Sequence, residues 1–233
     1  MSREEDILYF MEELKNSPER ALFLKLEALR ASYRVFAGNY SELLRLLNIV
    51  ENPEVAIRLK DVKRRAESHK VREEVTRLLH NFLASAKSLI DHMNTHMTEL
   101  YTEHPLLIEY ETRRAGFLTS TSVHQFVQRL RNYAQHYKLP LTGSLLSYEA
   151  PKDLTITYYL NTGELRKWKE WSPKGRKYLE SFQDTLPVRK LAEDYFSLVK
   201  EFFRWLDKRQ LEVNSEQLSR LREMEERLAK FQE

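Results

Sequence analysis

Val75-Thr76-Arg77-Leu78-Leu79-His80-Asn81-Phe82-Leu83-Ala84-Ser85-Ala86-Lys87-Ser88-Leu89-Ile90-Asp91-His92-Met93 reads as one amphipathic helix. Val75, Leu78, Leu79, Phe82, Leu83, Ala86, Leu89, Ile90 and Met93 recur at steps of three and four, which puts them on one stripe. The stretch lies within a longer interval, Glu54 to about Glu103, that holds no proline or glycine. It predicts one very long helix, or two with an unmarked break, ended at His104-Pro105. A chain organised around such a stripe needs other helices to cover it.

Upstream, Glu4–Lys15 reads as a short amphipathic helix broken near Ser17-Pro18. Glu19–Phe36 carries Leu22, Leu26, Leu29 and Tyr33 on one stripe, with Gly38-Asn39 as its stop. Ser41–Val50 is a further short helix, and Asn52-Pro53 restarts the chain with Pro in a first turn. Downstream, a helix runs from Pro105 to about Ala115, and Gly116 breaks it. Ser120 or Thr121 caps the next, which reaches about Lys138 before Pro140.

The period then changes. Leu141–Tyr148 and Leu154–Leu160 are rich in Thr, Ile, Leu and Tyr and flank Ala150-Pro151-Lys152-Asp153, which predicts a small hairpin followed by a turn at Asn161-Thr162-Gly163. Ser172-Pro173 starts a helix to about Gln183, and Thr185-Leu186-Pro187 starts another to about Leu211. Ser215–Phe231 carries a heptad-like stripe too short to stand alone as a coiled coil. The expected fold is mostly α, a bundle of long helices with a small β-hairpin insertion at about 141–160. Its organisation reads as N-terminal helices over 1–52 packing on the bundle, a main helical domain over 53–211, and a C-terminal helix over 212–233.

Composition narrows the function. The chain has 233 residues, with no cysteine, five glycines, and 42% hydrophobic and 11% aromatic residues. A disulfide scaffold and cysteine-built zinc sites are excluded. No P-loop, dinucleotide-binding or nucleophile-elbow motif is present. The acidic N-terminus leads into no long apolar run, so neither a signal peptide nor a membrane span is expected, and a cytoplasmic location fits. The net charge of +3 makes any anion site a local matter. One such locality stands out: from Thr112 to Tyr148 there is no Asp or Glu, against Arg113, Arg114, Arg129, Arg131 and Lys138.

Within it lies Phe126-Val127-Gln128-Arg129-Leu130-Arg131-Asn132-Tyr133-Ala134-Gln135-His136-Tyr137. On a helix, Phe126, Val127, Leu130, Tyr133, Ala134 and Tyr137 form the core face, and His124, Gln125, Gln128, Arg131, Asn132, Gln135 and His136 form a carboxylate-free polar face. A neutral His moves protons near pH 7, and an Arg beside it holds phosphate and steadies developing charge. That set suits metal-free cleavage of RNA by its own 2′-OH.

Arg131-Asn132-x-x-x-His136 resembles the Arg-x4–6-His motif of the HEPN superfamily, in its form with Asn directly after Arg. The resemblance implies a helical bundle and a metal-independent endoribonuclease of toxin–antitoxin or defence type. It also implies a homodimer, because the family's active cleft takes an Arg and a His from each of two domains. On it, Arg131 binds phosphate and the transition state, His136 is general acid or base, and Asn132 positions them. Gln128, Gln135, Lys138 and, if its helix packs on this one, Asn81 are candidate substrate contacts. RNA is the implied substrate, with an antitoxin or other protein as a possible partner and no cofactor. The family's modifiable Tyr two places after His is replaced by Lys138, so tyrosine adenylylation is not implied. Arg64 and His69 share the spacing in a charged run without the Asn. The rival reading is a non-catalytic helical module that binds a protein or nucleic acid through the same face.

Two weaker patterns accompany it. His92 and His96 have helical metal-chelate spacing, with ordinary surface imidazoles as the default. Trp168 and Trp171 among lysines could stack bases, but are expected to pack under the hairpin while the lysines snorkel.

Overall fold

The computed structural model describes residues 3–140, 142–148 and 154–232, apart from the side chains of 3–5 and 231–232. It is a mostly α bundle with a small antiparallel sheet. The hairpin turn expected at Ala150–Asp153 falls outside the described residues.

The long apolar stripe forms α4 (Arg65–Tyr101), and α2 (Pro18–Val50) lies along it. At 1.5 Å per residue these helices run about 55 and 50 Å. α2 is continuous, so Gly38-Asn39 is no stop. Phe36, Leu43 and Leu47 on either side of Gly38 are wholly buried. Their burial, at about 1.5–3 kcal/mol each, exceeds the ~1 kcal/mol that a helical glycine costs. Asn39 stays in register by donating its amide to the Val35 carbonyl at 2.9 Å.

The unmarked break in the 54–103 interval is Asp61. It ends α3 (Pro53–Lys60) in an extended conformation, and its carboxylate accepts from the Lys63 N–H at 2.9 Å to start a single 3₁₀ turn before α4. Ser172 before Pro173 and Thr121, rather than Ser120, before α6 (Ser122–His136) are the caps expected; Ser17, where a break is read, and Asn52, where a restart is read, are N-caps too, each before a proline. Gly116 does not break the chain. α5 (Pro105–Arg113) widens there into a π-helical turn over Arg114–Thr119.

β1 (Thr142–Ser147) pairs with β2 (Thr155–Asn161) in the register Gly143 to Tyr159, with the Tyr159 ring lying over the glycine where a Cβ would stand. Thr162 opens a short α7 (Thr162–Arg166) rather than a turn, capped by Asn161. After α8 (Pro173–Glu180), residues Thr185–Pro187 form β3 on the free edge of β2, not the start of a helix. Pro187 is tolerated there because an edge strand can lack a donor. α9 (Val188–Val213) then crosses the bundle, and α10 (Ser215–Gln232) packs with α1 (Arg3–Asn16).

One core runs from Leu29 on α2 through α4 and α6 to Leu206 on α9. Its centre is an aromatic trio: Phe36 and Phe82 stack at 5.3 Å, and Tyr195 meets each edge-on at 6.3 Å. At one end, here the sheet end, Glu51 closes α2; its carboxylate takes Arg189 at 2.8 Å and the Tyr158 N–H at 3.4 Å, joining α2, α9 and β2. At the opposite end Arg30 bonds Asp207 at 2.7 Å.

Gly38→Ala is expected to raise stability by about 0.5–1 kcal/mol, since a Cβ there meets nothing within 4 Å. A lower thermal midpoint would mean that the helix does need a hinge at this point.

Candidate functional site

α6 starts where Thr121 accepts the His124 N–H, and it ends at His136. Phe126, Val127, Leu130, Tyr133 and Ala134 are buried, as the helical projection requires. Tyr137 is not; it is 58% exposed, because the helix has ended and the chain turns out of the projection. Trp168 and Trp171 are buried, but on α6 rather than under the hairpin: Trp171 stacks on Phe126 at 4.9 Å, and Trp168 meets Tyr133 edge-on at 5.5 Å.

The polar face of α6 divides in two. Its first half belongs to the core. Gln128 donates to the Tyr195 hydroxyl at 3.1 Å, and that hydroxyl lies 3.3 Å from Nδ1 of the buried His124. Burial pushes the His124 pKa down to about 4, helped by the nearby charge of Arg114. Neutral His124 with its proton on Nε2 accepts from Tyr195 at Nδ1. Burial also holds the Tyr195 phenol well above its ordinary range. Gln128, half-buried, is thus engaged by Tyr195.

The second half stays accessible. Asn132 and His136 line a cleft of about 230 Å³ with Tyr137, Trp168 and Glu170. The guanidinium of Arg131 donates to the Asn132 Oδ1 at 3.3 Å, so it touches a residue of the cleft without lining it. Its Nε is shielded from solvent and has no hydrogen-bond partner among the described residues. Five residues along a regular helix turn Arg131 and His136 about 140° apart, and the helix keeps its form to His136. The structure therefore brings Asn132 and His136 together, with Arg131 at one remove.

The remaining candidates scatter. Gln135 is exposed on the last turn. Lys138 pairs with Glu164 at 3.2 Å. Asn81 is half-buried on α4 and does not line the cleft. The stretch without acids receives carboxylates from elsewhere: Glu164 on Lys138, and Glu170 in the cleft wall. No local signal could have placed either, since both arrive through the packing of the segment that follows β2. Arg113, Arg114, Arg129 and Arg131 nonetheless form no ion pair among the described residues, and Arg113 lies over the Trp205 ring at 4.8 Å.

His92 and His96 are engaged elsewhere. His92 bonds Ser32 at 2.8 Å, His96 bonds Gln210, and burial lowers the His96 pKa. Among the described residues no group of three or more His, Asp or Glu is placed to hold a metal ion. No helix is long and apolar enough to cross a membrane among them. Compared with protein-family models, curated proteins and solved structures, the chain matches none.

The buried pair makes stability acid-sensitive. The fold favours neutral His124, so its contribution is complete above the ordinary imidazole range and is lost as pH falls towards 4. Unfolding free energies from urea titrations between pH 7 and 4 are expected to fall by roughly 3 kcal/mol at this site, and His124→Gln to flatten that slope. Equal slopes in the two proteins would show that His124 is protonated without penalty.

Proposed function

We propose that the chain cleaves RNA without a metal, at a cleft built on the last turns of α6 and completed by a second copy. The observation that carries this reading is the chain of contact from Arg131 to Asn132 and into the cleft that holds His136. His136 takes the proton of a ribose 2′-OH, or gives one to the leaving 5′ oxygen. The 2′ oxygen forms its bond to phosphorus as the bond to the 5′ oxygen breaks, leaving a 2′,3′-cyclic phosphate. Arg131 supplies charge to the phosphorane and Asn132 holds the guanidinium in place. One chain offers a single His and an Arg turned aside from it, which is why the reading calls for a partner copy to bring the second pair. The resemblance to HEPN domains through Arg131-Asn132-x-x-x-His136 points the same way.

Glu170 favours a second reading. A carboxylate in the cleft wall repels a phosphate unless a cation covers it, and Trp168 beside it offers only part of its ring. On that reading the face binds a partner and performs no chemistry.

Purified protein on labelled RNA in EDTA separates the two. Cleavage to cyclic phosphate ends is expected from the wild type, with at least 100-fold loss in His136→Ala and in Arg131→Ala. Glu170→Gln is expected to raise the rate if its charge opposes substrate. Folded wild type with no cleavage in any salt, or cleavage that survives both alanines, leaves the binding reading.

A further inference from the structure

A dense tract of positive charge lies at the sheet end. Between Arg58 and Arg72 there are seven Lys or Arg against Asp61 and Glu67, in a chain of net charge +3. Arg64 pairs with Glu67 at 3.1 Å, and Lys60 donates to the Ser144 carbonyl at 3.0 Å. Arg58, Lys63, Arg65 and Lys70 are exposed and form no ion pair among the described residues.

This tract leads into a cavity of about 520 Å³, larger than the cleft at His136. His69, Arg72, Glu73, Thr76, Arg77 and His80 of α4 form one wall, and Leu139, Pro140 and Thr142 the other. Two nitrogens there are unmet: Arg72 Nε, a donor, and His80 Nδ1, a donor when that nitrogen carries the proton, are shielded from solvent and have no hydrogen-bond partner among the described residues. Neighbouring groups are already satisfied. The Thr76 and Thr142 hydroxyls bond each other at 2.8 Å, Glu73 pairs with His69 at 3.1 Å, and Glu74 pairs with Arg77 at 2.6 Å. Of the two guanidiniums in this wall, Arg77 is paired with Glu74 and Arg72 forms no ion pair among the described residues. Shielded nitrogens of this kind are unfavourable unless an acceptor arrives. Pro140 is four residues beyond His136, so at most about 14 Å of chain separates the cavity from the candidate site.

We propose that this cavity and the tract from Arg58 to Lys70 form a second contact for single-stranded RNA. Arg72 and His80 hold one phosphate, and the exposed cations hold those beside it. The choice of RNA rests on the function proposed above; the phosphate chemistry rests on Arg72 and the exposed cations of the tract, with Glu73 held by His69. A lipid surface is the lesser fit, because Ile57 and the 86% exposed Val62 are isolated apolar tips, too little area to anchor a membrane.

The test uses a labelled 2′-O-methyl RNA, which cannot be cleaved, and reads binding by anisotropy over a range of salt. Each lost phosphate contact lowers the slope of log K against log salt by about 0.7, which is about 5-fold in affinity at 0.1 M. Arg72→Gln is expected to show that loss. Lys63→Gln, Arg65→Gln and Lys70→Gln together are expected to lose about 100-fold and lower the slope by about 2. Arg204→Gln, Lys208→Gln and Arg222→Gln together, away from the sheet end, are expected to change neither. The proposal is overturned if the tract variants bind as the wild type does, if the distant triple falls equally, or if only phosphatidylserine vesicles are bound. Wild type that binds this RNA through the tract yet cleaves no natural RNA overturns the cleavage reading alone. Cleavage lost in His136→Ala, with binding indifferent to the tract, overturns this proposal alone.

Discussion

The Tyr195 hydroxyl is the constraint around which the molecule is arranged. A phenol placed at the centre of a helical core, against Phe36 and Phe82, must find hydrogen-bond partners there or forfeit much of what its burial contributes. It finds Gln128 and His124, both on α6. Those two bonds fix how far α6 is advanced along α9 and which side it turns inward. They also decide what α6 has left to offer: the half bearing Gln128 faces inward, and the turns bearing Asn132 and His136 face out. The position of the candidate cleft is a consequence of satisfying one buried oxygen.

Charge is sorted along the bundle by the same packing. Far from the sheet, carboxylates and guanidiniums meet: Glu109 with Arg209, Asp207 with Arg30, Glu19 with Arg220. Single pairs of this exposed kind add little stability. Their effect is on the field, because they pair charges at that end while Arg58, Lys63, Arg65 and Lys70 at the other end keep theirs open to solvent. A net charge of +3 conceals this division.

Much of the fold was legible. The α4 stripe, the caps at Thr121 and Ser172, the boundaries at Ser17-Pro18 and Asn52-Pro53, and the β-rich interlude after Pro140 are local signals, written in side chains that act within a turn of where they stand. The misreadings share one cause. Gly38 and Gly116 were given their local preference as breakers, and tertiary burial outweighed it in one case and absorbed it in a π turn in the other. Thr185–Pro187 has no strand signature and becomes β3 only because β2 offers it an edge. In the site, the Arg131-Asn132 contact joins neighbours and follows from sequence, whereas Glu170 and Trp168 enter from 30 or more residues away.

By itself, then, the sequence determined a helical protein, the helix that carries Arg131, Asn132 and His136, and the tract rich in cations, because periodicity, capping and local charge need no partner to be read. Only the tertiary structure decided which polar side chains are spent. His124 and Gln128 look as available as His136 on a helical wheel. They differ because a buried hydroxyl from α9 claims the first two and a cleft opens at the third, and a wheel contains no information about what lies opposite it.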